Sequence, residues 1–308
     1  MSVIHYDMKM VQKIPSPATS APAQRNANAA QRFVVAQKAV GQVGFTMAQI
    51  TKDTGLSTIA ARAQLKRLNR PNRLGGCVVR VSPRQDFFLI VGDDQLIMGA
   101  PPVFWWLDAY FQTLGRPYYV ALLSAASEYG SSHQAVQTVQ VITDKPQKAL
   151  EIGRLRVQFF VKKRVAATPA ASLPQAYAPL QISTPEATAL DLLRYAHRIG
   201  GVGRAVQAIK DMLPHMSKKG MRQALEAETE LSTMQRFGFV LEALGQAAFS
   251  QMVAERLPAR LNPAFLAHHA GGAATTKAAH ALAGEALTAL PMAARWSLFI
   301  NADVKELS

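Results

Sequence analysis

Between Lys52 and Arg84 the chain places eight basic residues, Lys52, Arg62, Lys66, Arg67, Arg70, Arg73, Arg80 and Arg84, against one acid, Asp53. The local balance is 8 − 1 = +7, half the formal net charge of +14 carried by all 308 residues. Such a cluster is suited to a polyanion: each cation that neutralises a phosphate releases a counterion, which gives affinity that falls steeply with salt. Arg62, Lys66 and Arg70 recur every four residues and so share one face of a helix. Ser57, Thr58 and Ile59 stand at its start, where side chains reach base edges when a helix enters the major groove. The candidate nucleic-acid-binding residues are therefore Lys52, Ser57, Thr58, Ile59, Arg62, Lys66, Arg67, Arg70, Arg73, Arg80 and Arg84.

These side chains need a frame. Residues 47–54 read as a short helix and 57–69 as a longer one. Gly55 supplies the backbone freedom for the turn between them, and Ser57 caps the second helix. Ala61, Leu65 and Leu68 form an apolar stripe directed at Ile50 and Leu56. An earlier helix over 27–40, with Phe33, Val34, Ala36 and Val40 apolar, is expected to pack beneath the pair. Strands over 78–81 and 87–91 flank a turn spanning 82–86. Together these elements predict a winged helix-turn-helix directed at double-stranded DNA.

Enzyme chemistry lacks a comparable constellation. No Gly-rich phosphate loop ends in Gly-Lys-Ser or Gly-Lys-Thr, and no HExxH or paired-cysteine motif occurs. Gly200, Gly201 and Gly203 follow a predicted helix, where they end it; a phosphate loop would follow a strand. His268 and His269 are adjacent, so their rings diverge. His133, His197, His215 and His280 read as ordinary surface or core groups. Asp93 and Asp94 lack a third acid, and Cys77, as the single cysteine, excludes an internal disulfide and a multi-cysteine zinc site. The chain is expected to be no enzyme and to need neither cofactor nor metal. No run approaches the roughly 20 apolar residues that span a bilayer, and the polar N-terminus is no signal peptide. A cytoplasmic protein without a membrane partner is expected, and the pI of about 10.1 agrees with nucleic acid as the partner.

Three parts are expected: a flexible extension over 1–24, the DNA-binding unit over 25–97, and a larger, helix-rich α+β domain over 102–308. In the last, 104–114 and 118–129 read as helices and 137–143 and 156–161 as strands, the second running into the basic residues Lys162, Lys163 and Arg164. The Trp105 and Trp106 pair is read as packing. Thr184, Pro185 and Glu186 begin a helix with Leu190, Leu193 and Ala196 pointing inward. Further helices are expected over 205–213, 218–228, 232–244 and 247–256, with a closing strand over 296–301. The fold class is α+β.

With the segments YYVALLSAASEYG, VQVITDK, RVQFFV, ISTPEATALDLL and the terminal RWSLFIN in this order behind a winged helix, the chain resembles the AbiEi family of antitoxins. The resemblance runs from about Ala27 and is clearest over 118–193. It implies a bacterial toxin-antitoxin role in which the winged helix binds inverted repeats at its own promoter and represses it. It also implies a nucleotidyltransferase-like toxin as functional partner, neutralised through the C-terminal domain, commonly without a stable complex. Carried onto this chain, the DNA-reading positions are Thr58, Ile59, Arg62, Lys66, Arg67 and Arg84. Self-association on DNA is expected, because one winged helix makes a small footprint. The competing reading is a ligand-responsive winged-helix regulator without antitoxin activity.

Overall fold

A computed structural model of the chain describes residues 28–69, 77–131, 138–173, 179–267 and 290–302. The expected N-terminal extension, Arg70, Arg73, His133, His268, His269 and His280 lie outside the described residues.

The N-terminal unit contains helices Ala29–Ala39, Met47–Thr54 and Thr58–Leu68 beside a small sheet of β1 (Gly44–Thr46), β2 (Cys77–Ser82) and β3 (Gln85–Val91). Its order is β1-β3-β2, and both pairings are antiparallel. The first helix buries only part of the expected stripe: Phe33 and Val34 face the core, joined by Ala30, while Ala36 and Val40 are exposed. The helix is tied down at its first turn, where Gln64 of the third helix accepts a hydrogen bond from the Ala30 N–H at 2.9 Å, whereas Val40 falls beyond its last residue, Ala39. The hairpin turn is also tighter than expected. Ser82 pairs with Gln85 across Pro83 and Arg84, so Gln85 and Asp86 belong to the strand.

β3 is apolar from Phe87 to Val91 because both faces of the hairpin are covered. Phe88 and Ile90 join Phe33, Phe45, Ile50 and Leu65 in the N-terminal core, where Phe45 stacks on Phe88 with ring centroids 5.6 Å apart. Phe87 and Leu89, one residue out of phase, join Trp106, Tyr110 and Phe111 in a second core.

The central sheet has six strands in the order β6-β7-β5-β4-β9-β8, built from β4 (Tyr118–Val120), β5 (Thr138–Thr143), β6 (Leu150–Ile152), β7 (Leu155–Val161), β8 (Ala170–Ser172) and β9 (Gln181–Ser183). It is mixed: β5 runs parallel to β7 and β4 to β9, while β4 and β5 are antiparallel. Tyr118 and Val120, Val141 and Phe159 face the helix Leu107–Leu114 and the hairpin. Tyr119, Ile142 and Phe160 face the C-terminal helices. The expected helix over 118–129 is therefore corrected. Its first residues are a strand, and helix starts only at Leu122, because the β-prone Tyr-Tyr-Val run fits between two neighbours of the sheet. Trp106 is fully buried and donates its indole N–H to the Pro101 carbonyl at 3.1 Å.

Helices Pro185–Arg194, Ala196–Ile199, Val202–Met212, Lys218–Ala227, Leu231–Ala243 and Ala247–Arg256 cover the other face. Gly200, at φ 107°, ends one helix and Gly201, at φ 98°, starts the next, so the glycines are a helix-to-helix turn, and the following helix begins at Val202 instead of the expected 205. Glu186 is buried, and its carboxylate accepts the Ser217 N–H at 2.7 Å; it therefore caps a neighbouring helix as well as lying in its own first turn. A last small sheet joins β10 (Ala264–Phe265), β11 (Met292–Ala293) and β12 (Leu298–Phe299) in the order β10-β12-β11. The expected closing strand shrinks to β12, since 294–296 form a 3-10 turn that seats Trp296 in the core.

Candidate nucleic-acid interface

The helix Met47–Thr54 begins with a reciprocal cap: Thr46 Oγ1 accepts the Gln49 N–H at 3.1 Å and Gln49 Oε1 accepts the Thr46 N–H at 2.7 Å. It ends at Gly55 with φ 68°, whose N–H bonds the Thr51 carbonyl at 3.0 Å, a left-handed geometry that favours glycine. Ser57 Oγ then accepts the Ala60 N–H at 3.3 Å and opens the helix Thr58–Leu68. Ala61 and Leu65 bury one side of that helix. Thr58, Ile59, Arg62, Ala63, Lys66 and Arg67 are exposed on the rest.

The other candidate cations surround this helix. Lys52 is exposed in the last turn of the preceding helix, and Arg84 is exposed at the hairpin tip. Arg80 lies along the hairpin, with Nε donating to the Gln85 carbonyl at 2.8 Å and Nη2 donating to Asp86 Oδ1 at 2.6 Å. Arg62 Nη2 approaches the same Asp86 oxygen at 3.6 Å. A single acid on β3 thus brings a helix arginine and a hairpin arginine onto one face. Asp86 lies two residues beyond the basic run that the sequence marks out, and its alternation on β3, with Phe87 turned inward, is the signal that places it on the surface.

The hairpin tip also borders a cleft of ≈ 760 Å³ against the central sheet, lined by Pro83, Arg84, Tyr110, Arg116, Gln147 and Lys148 among others. Arg116 is held there by Asp144 at 2.8 Å and by the Lys145 carbonyl at 2.6 Å. Among the described residues no group of three or more His, Cys, Asp or Glu side chains is placed to hold a metal ion.

A second charged arrangement is buried. The sequence puts Lys162 in a basic patch with Lys163 and Arg164, but its side chain is only 5% exposed. Lys162 follows Phe160 by two residues, and the strand alternation carries both toward the helices. Its Nζ donates to Asp191 Oδ1 at 2.8 Å and lies 3.6 Å from Glu228 Oε2. The Tyr119 hydroxyl donates to Asp191 Oδ2 at 2.9 Å. Arg194 pairs with Glu228 and, at 2.5 Å, with Glu230. Burial pushes the Glu228 carboxyl up. The charges of Lys162 and Arg194, with the N–H groups of Glu230 and Thr229, outweigh that and hold it below its ordinary value. Burial, together with the Asp191 charge, raises the Tyr119 phenol well above its usual value. The cluster clamps the end of β7 to two helix segments. Its sequence signal is Asp191 itself, an acid set among leucines in Ala-Leu-Asp-Leu-Leu.

Residues 119–243 match the family model of the AbiEi antitoxin C-terminal domain, a span that runs from β4 to the end of the helix Leu231–Ala243 and contains the buried cluster. No curated protein sequence matches the chain. A solved structure described as "Crystal structure of RV2827C protein from Mycobacterium tuberculosis" is similar in fold, with a TM-score of 0.56 at 18% identity, covering 91% of this chain and 93% of that one.

Proposed function

We propose, from the premise that this chain is an AbiEi-family antitoxin, that it represses its own promoter through residues 25–97 and neutralises a nucleotidyltransferase-like toxin through residues 102–308. The observation that carries the first half is the shared face of the helix Thr58–Leu68 and the β2–β3 hairpin, joined at Asp86 by Arg62 and Arg80. The three helices and the hairpin that follows them support the reading of a winged helix, in which Thr58–Leu68 would be the groove-reading element. Lys52, Arg62, Lys66, Arg67, Arg80 and Arg84 contact phosphates and set the register, while Ser57, Thr58 and Ile59, at the start of the helix, lie nearest the bases. Arg70 and Arg73 extend the same basic run in sequence.

One such unit covers a short stretch of duplex, so two copies on an inverted repeat gain affinity through effective concentration. The antitoxin half rests on the match over 119–243. Among the described residues no helix is long and apolar enough to cross a membrane, in keeping with action in the cytoplasm, where the promoter is. Co-expression with the neighbouring gene tests the pairing: an antitoxin restores growth to cells that express a toxic neighbour. A ligand-responsive regulator, for which the cleft beside Arg84 would be the ligand site, binds upstream DNA without rescuing growth.

A further inference from the structure

Ile59 is the most exposed large hydrophobic side chain among the described residues, with 82% of its surface open to solvent. It occupies the second position of the helix Thr58–Leu68, in a first turn ordered by the Ser57 cap and by the Ala61 N–H bonded to the Ser57 carbonyl at 2.9 Å. Its presentation is thus built into the frame. Packing does not require an isoleucine there, and a β-branched residue gains nothing from a helix position that lacks neighbours to pack on.

Its surroundings select the ligand. One turn further along the same face come Arg62 and the small, exposed Ala63, then Lys66. Ile59 and Lys66 are separated by about 10 Å along the helix axis at 1.5 Å per residue, which is close to the roughly 12 Å width of the major groove. The face therefore has an apolar head, a shallow centre and cationic flanks. Of the four bases, thymine is the one that offers a methyl group in the major groove. We propose that Ile59 reads the 5-methyl group of a thymine, and so sets base preference at one position of the DNA site. The inference rests on the reading that residues 25–97 bind duplex DNA.

The test uses the full chain and two duplexes spanning the region upstream of its own gene, one natural and one in which every thymine is replaced by uracil. Uracil keeps the pairing and removes the methyl. The wild-type chain should bind the uracil duplex about four-fold more weakly, the transfer worth of one buried methyl group converted to a ratio. Ile59→Ala should lose about the same factor on the natural duplex and be indifferent to the exchange. Equal sensitivity of wild type and Ile59→Ala to the exchange, or unchanged binding by Ile59→Ala, overturns the assignment while leaving DNA binding intact. Unchanged DNA binding with altered self-association of Ile59→Ala would make Ile59 a protein contact instead. Absence of salt-dependent binding by the wild type to either duplex removes the DNA reading and this inference together.

Discussion

Arg62 Nη2 stands 3.6 Å from Asp86 Oδ1, so an acid on β3 holds a guanidinium of the neighbouring helix over the hairpin. Both side chains are about half exposed, at 55% and 46%, and an ion pair so placed contributes little to stability. In the proposed complex with DNA its weight falls on the field that a phosphate would meet. Counting it, the basic run from Lys52 to Asp86 carries 8 − 2 = +6.

Asp86→Asn should therefore tighten DNA binding without changing the fold. A gain of about three- to ten-fold near 0.1 M salt, shrinking as salt rises, is expected from removing one negative charge within a Debye length of the phosphates. Fluorescence anisotropy with a labelled duplex measures it. Weaker binding by this variant would mean that Asp86 positions Arg62 and Arg80 productively.

The buried cluster predicts a different kind of loss. Asp191→Ala takes from buried Lys162 its hydrogen-bonded partner and leaves it only Glu228 at 3.6 Å; removing one partner of a buried pair costs about 3–5 kcal/mol, readable as a lower urea midpoint. The pH dependence has a definite sign. The folded-state pKa of Glu228 is lowered, so its contribution is full above the ordinary carboxylate range near pH ~4.3 and fades as pH falls through the folded value. Glu228→Gln should flatten the acid limb of the stability curve.

Gly238 lies against Trp296 so closely that an added Cβ would sit 2.1 Å from the indole, and Trp296 donates its N–H to Glu242 Oε2 at 2.7 Å. Gly238→Ala should destabilise by about 1–3 kcal/mol through overpacking. A thermal melt of the variant tests whether the segment at 290–302 is part of the cooperative unit; an unchanged midpoint would detach it.

A fragment of residues 25–97 should fold poorly alone. Val81, Phe87 and Leu89 bury against Ala100, Trp106 and Tyr110, with Phe87 and Tyr110 rings 5.6 Å apart, and the fragment would expose that apolar face to water. Size-exclusion chromatography should show aggregates, whereas a soluble monomer would mean that the hairpin does not depend on the central sheet.

How much of the fold was legible in the sequence varies with how local the cause is. The Gly55 turn, the Ser57 cap and the Ala61 and Leu65 stripe are set by neighbours in the chain, and the structure has them where the pattern predicts. The helix Ala247–Arg256 likewise has the bounds expected of it. Tyr118–Val120 reads as helix because its strand partners, β5 and β9, lie far along the chain. Lys162 reads as surface for the same reason: Asp191 and Glu228 reach it only after folding. The three-residue strands β6, β8 and β9 are too short for alternation to mark them. In the candidate interface the exposed helix face was readable from spacing, but the shared hold of Asp86 on Arg62 and Arg80 was not.

The most direct measurement is a titration of the full chain on its upstream duplex across a range of salt concentrations, repeated with Arg62→Ala and Lys66→Ala. If the Thr58–Leu68 face carries the binding, log K falls linearly with log salt for the wild type, and each substitution makes the slope shallower by about 0.9 for every phosphate that is no longer neutralised. Binding that ignores salt, or two variants with the slope and affinity of the wild type, would contradict it.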